Sequence, residues 1–178
     1  TSDTGAFVDI SGVLKRIAAK LSKISNDLRL LSSGPQAGVA DIKLPPRQAG
    51  SSIMPGKVNP VIPEVMNQVC FEVIGNDVAI TMACEAGQLQ LNAFEPLVAW
   101  ALHKSLHHLA SACQTLQVNC VEGIIANQDL LDERIAASVT LVTALNPLIG
   151  YEKAAAIAKG AIATGKPIAQ VAEDLGIM

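Results

Sequence analysis

Aromatic residues are scarce in this 178-residue chain: one Trp, one Tyr and three Phe, or 3% of the total. A core without large rings must be built from Ala, Val, Ile and Leu, which suits long helices packed closely side by side. Clustered positive charge is missing too. Thirteen Lys and Arg are scattered among sixteen Asp and Glu, for a net charge of −3. That gives no electrostatic reason to expect nucleic acid or an anionic membrane as partner. No signal peptide and no membrane span can be read from the sequence; the longest apolar stretch, Ile135 to Tyr151, is interrupted by Asn146-Pro147. No CxxC pair occurs among Cys70, Cys84, Cys113 and Cys120. These read as reduced thiols of a cytosolic, hence cytoplasmic, protein. The first residue is Thr1 rather than Met, so a processed or truncated chain is expected.

Half of the residues are apolar, enough for a sizeable core. Over residues 6–31, Ile10, Leu14, Ile17, Leu21, Ile24, Leu28 and Leu31 recur at alternating intervals of four and three. This spacing predicts one seam of a long helix that needs helical partners. A second long helix is expected after Pro60, with Pro63 in its first turn and Val65, Val69 and Val73 on its apolar face, running to about Cys84. A third follows Pro96, where Leu102, Leu106, Leu109, Cys113, Leu116 and Cys120 repeat the seam. Near Gly123 the style changes. Asn127 is placed to cap a helix over 128–145 that Asn146-Pro147 ends, and shorter helices are expected over 151–164 and 167–175. The expected fold is all-α: part of a long-helix bundle over residues 1–122, then a small helical C-terminal domain over 123–178.

Between the first two helices the helical pattern stops. Nine Gly and Pro residues fall between Ser32 and Pro60, and a loop of that length inside a helical protein is either functional or disordered. Its end reads Gly50-Ser51-Ser52-Ile53-Met54-Pro55-Gly56-Lys57-Val58-Asn59-Pro60. The glycines permit close backbone approach to a ligand. The paired hydroxyls offer a base or nucleophile and a donor, Lys57 a positive charge, and Asn59 a donor and an acceptor. Such a set suits a carboxylate. Composition alone leaves both a substrate loop and a plain surface loop open.

The order of these residues resembles the signature GSSxMPxKxNP of the aspartase/fumarase superfamily. The likeness extends over nearly the whole chain. It implies a loop that closes over a dicarboxylate, with Ser51 removing a proton from the carbon beside a carboxylate to give an enediolate-like dianion. Ser52 would act as donor, and Lys57 and Asn59 would bind substrate carboxylate, with Gly50, Met54 and Glu64 in support. In the fumarase branch the position of Glu64 pairs with an active-site histidine; a first-turn carboxylate that favours the helix dipole is the alternative reading. The resemblance further implies a homotetramer whose active sites are shared between subunits, and no cofactor. Family members are well over twice as long as this chain, so the chain is expected to hold part of one site and to be inactive alone.

Glu85-Ala86-Gly87-Gln88-Leu89-Gln90-Leu91-Asn92 and the run from Val61 to Gln68 are similar to the aspartase branch, which releases ammonia from L-aspartate to give fumarate. The fumarase branch, which exchanges fumarate and L-malate, is the alternative; a helical oligomerisation module without catalysis is another. His103 and His107 are spaced to share a metal, but no further ligands join them. They read instead as surface or interface histidines, and no metal site is expected.

Overall fold

The computed structural model describes residues 3–34, 37–48 and 58–177. Its order is α1 (Gly5–Leu31), β1 (Ile42–Lys43), α2 (Val61–Glu85), α3 (Glu95–Asn119), a 3-10 turn (Val121–Gly123), β2 (Ile125–Ala126), α4 (Gln128–Ala137), α5 (Thr140–Ile149), α6 (Tyr151–Thr164) and α7 (Ile168–Asp174). The all-α expectation holds, and among the described residues a single small sheet pairs β1 with β2. The chain forms two compact units, residues 1–125 and 126–178.

In the first unit α1, α2 and α3 pack as neighbouring antiparallel helices. Thr4 bonds to Cys84, Ser11 to Asp77 and Asn67 to Ser22; the numbers rise on one helix as they fall on the other. Between α2 and α3, Asn76 bonds to Ser105 and Glu72 to His108 in the same sense. The core between them is built from Leu14, Ala18, Met66, Cys70, Val73, Ile80, Val98, Leu102, Leu109 and Leu116.

About half of each seam is buried where the apolar spacing places it, as with Leu14, Val73, Leu102, Leu109 and Leu116, while the other half falls one residue away. On α1 the buried residues are Ser11, Leu14, Ala18 and Ser25, whereas Ile10, Ile17 and Ile24 are exposed. On α2, Met66, Cys70, Val73 and Ile80 turn inward and Val65 outward. On α3, Leu102, Leu109, Leu116 and Cys120 are buried, while Leu106 and Cys113 are exposed. Small residues at the contact let the backbones approach closely, so Ser and Ala take the inner positions and bulkier Ile is pushed to the flank.

The second unit has a core of Val142, Ala154, Ile157, Ala161, Ile168, Val171 and Ala172. The single helix expected over 128–145 is instead two. Ser138 is extended (φ −76°, ψ 119°), and its hydroxyl accepts the Thr140 N–H at 3.3 Å. This side chain competes with helical pairing and starts α5 afresh. Asn146-Pro147 does not end the helix, because Pro147 lies inside α5. The stop is Gly150, whose positive φ of 82° ends α5 and whose N–H donates to the Asn146 carbonyl.

One buried charge ties α1 to α2. Asp77 is buried; Ser11 Oγ donates to its Oδ1 at 2.7 Å and Lys15 Nζ to its Oδ2 at 2.6 Å. Burial pushes the Asp77 carboxyl up, but the bonds from Lys15 and Ser11 and the Lys15 charge outweigh it and hold the carboxyl below its ordinary value. A depressed folded pKa stabilises fully above the ordinary aspartate value of about 3.9 and is lost as pH falls through the folded value. Asp77→Ala strands the buried Ser11 hydroxyl and should cost roughly 1–3 kcal/mol at neutral pH. Asp77→Asn should flatten the loss of stability on the acid side; urea unfolding midpoints at neutral and acid pH check both.

Candidate functional site

Gly50, Ser51, Ser52, Met54 and Lys57 lie outside the described residues. The described part of the candidate site is therefore Asn59, Glu64 and the residues that adjoin 49–57 in the chain.

On the far side, the Asn59 carbonyl accepts the Val61 N–H at 2.9 Å, and the Pro60 carbonyl accepts the Glu64 N–H at 3.2 Å. Proline at 60 and 63 pre-sets backbone angles for the first turn, where missing N–H groups cost nothing. Asn59 and Pro60 line a shallow surface hollow with Pro45, Ile62, Asn119 and Cys120. The hollow lies against the C-terminal end of α3. Glu64 is the acidic residue of the first turn of α2 and is half-buried; there it meets the positive end of the helix dipole. One turn on, buried Asn67 donates from Nδ2 to the Ser22 carbonyl at 3.1 Å and to Ser22 Oγ at 2.9 Å. Its Oδ1 accepts from Arg29 Nη1 at 3.4 Å. This fixes how the start of α2 is rotated on α1.

On the near side, Arg47 Nε donates to the Asn119 carbonyl at 3.0 Å, and Nη2 to the Val118 carbonyl at 3.3 Å. The sequence reading passed over Arg47. The available signal is that α3 has no basic residue in its last turn, so its final carbonyls need a cation from elsewhere.

The histidines are placed as surface groups on α3. His103 and His107 are exposed. His108 Nδ1 lies 2.7 Å from Glu72 Oε2, and Lys104 pairs with the other carboxylate oxygen. The Lys104 and His108 hydrogen bonds hold the Glu72 carboxyl below its usual range. Lys104 also sits 4.8 Å over the Trp100 ring. Among the described residues no group of three His, Cys, Asp or Glu side chains is arranged to hold a metal.

The segment Glu85–Asn92 forms the turn between α2 and α3. Asn92 is buried; its Nδ2 donates to the Ala83 carbonyl at 2.9 Å and its Oδ1 accepts the Phe94 N–H at 2.8 Å. Gln88 and Leu91 pair in both directions, and Leu89 between them has a positive φ of 51°.

Comparisons with known proteins agree with this architecture. A lyase family model matches residues 1–75, and a fumarase C C-terminus model matches residues 141–178. The aspartate ammonia-lyase of Helicobacter pylori is 58% identical over all of this chain, which covers 38% of that protein. A solved fumarate lyase:delta crystallin from Brucella melitensis superimposes with a TM-score of 0.92 at 57% identity, over 98% of this chain and 39% of its own. The class II fumarase of Schistosoma mansoni gives 0.86 at 36% identity, over 99% of this chain and 37% of its own. The chain thus spans about 38% of the length of the first curated relative it matches.

All four cysteines are free. Burial pushes the Cys70 and Cys120 thiols up, with Cys113 adding to the effect at Cys70. Neither should react with a thiol reagent at neutral pH until the protein unfolds. Counting labelled sites by mass spectrometry before and after denaturation, then mapping the peptides, checks this.

Proposed function

From the premise that this chain belongs to the aspartase/fumarase superfamily, we propose that the whole protein is an aspartate ammonia-lyase. It converts L-aspartate reversibly to fumarate and ammonia. The observation that carries the reading is the 58% identity to an aspartate ammonia-lyase over every residue of the chain, against 36% to a fumarase over nearly the same span.

In this reading Ser51 is the base. Its alkoxide takes the proton from the carbon beside a carboxylate, and the electron pair left behind spreads into that carboxylate as an enediolate. Collapse of the enediolate breaks the carbon–nitrogen bond of the substrate's protonated amino group, which leaves with the bonding electron pair as neutral ammonia and gives fumarate; Ser51 then loses the proton it took to solvent. A serine can act as base only where its alkoxide is stabilised. Backbone N–H groups around Gly50 and the charge of Lys57 supply that stabilisation. Ser52 donates to substrate, Lys57 and Asn59 bind its carboxylate, and Gly50, Met54 and Glu64 support the site, Glu64 from the first turn of α2. No step calls for a cofactor.

The protein is proposed to be a cytoplasmic homotetramer with active sites shared between subunits. What supports association is apolar surface left on the long helices: Ile10, Ile17 and Ile24 on α1, Phe71 and Val78 on α2, and Trp100 on α3 are all exposed. Stripes of that kind on a monomer mark contact surfaces. No described helix is long and apolar enough to cross a membrane. These 178 residues alone are proposed not to turn substrate over.

The test is fumarate formation, followed by ultraviolet absorbance, from full-length protein given L-aspartate or L-malate. Fumarate from L-aspartate and none from L-malate is the expected result; the reverse would make the protein a fumarase. Ser51→Ala should reduce kcat by a factor of about a thousand or more with assembly intact. Retained turnover would remove Ser51 as the base.

A further inference from the structure

We draw no further inference here: the strongest candidate, the exposed outer stripe of α2 formed by Val65, Phe71, Val78 and Met82 around Gly75, where an added Cβ would meet open space, belongs to the association of copies already proposed, and nothing in the structure shows what covers it.

Discussion

The Asp77 carboxylate, gripped by the Ser11 hydroxyl and the Lys15 ammonium, sets how far α1 and α2 slide along each other. An apolar seam alone is a weak ruler, because a slip of one heptad replaces one Leu or Ala with another. A buried polar node is not degenerate in that way: a slip would leave a carboxylate buried without partners. Asn67, which bonds to Ser22, marks the same register from the other end of the pair. A heptad slip would move the start of α2 by about 10 Å. Asn59 and Pro60, immediately before that start, would move along α1 with it. Where Asn59 and Pro60 stand along α1 thus depends on contacts made elsewhere on the two helices.

The helices were legible because their apolar residues recur at helical intervals, and α1, α2 and α3 begin and end within a few residues of where the pattern places them. The buried faces were less legible. A rule that selects the largest apolar residue finds Ile10, Ile17 and Ile24, which are exposed, and passes over Ser11 and Ser25, which are buried. Burial at a close helix contact is decided by size as much as by polarity. Ser25 carries this furthest: its hydroxyl is wholly buried and makes no hydrogen bond among the described residues. Pro147 misled for a related reason. Proline blocks a helix through a missing donor and a clash with the turn before it, yet α5 runs two residues past it and stops at Gly150.

The candidate site was legible as a string of residue types, and much less so as geometry. Gly50 to Pro60 could be read as a carboxylate-binding set from side-chain chemistry. Its attachment to the protein could not, because the acceptors of Arg47 are backbone carbonyls. Carbonyls carry no residue-type signature, and Val118 and Asn119 would accept equally well as any other pair. The wall of the hollow at Asn119 and Cys120 is likewise remote in sequence from the residues it faces. Only an absence, the missing basic residue in the last turn of α3, hinted that a cation would arrive from outside.

The segment Glu85–Asn92, which separates the ammonia-releasing branch from the water-releasing one in sequence, has a largely structural explanation. Asn92 satisfies carbonyls at the end of α2 and receives the Phe94 N–H. A Cβ on Gly87 would come within 3.3 Å of the Asn92 side chain, so glycine suits that approach. Leu89 is different. It stands 88% exposed in a left-handed conformation, which costs a residue with a Cβ about 1–2 kcal/mol. The paired hydrogen bonds between Gln88 and Leu91 hold it there. Most of the residues that distinguish the branches here therefore shape a turn. The proposal that the whole protein acts on aspartate draws its support from identity spread along the whole chain, and this one segment adds little to it.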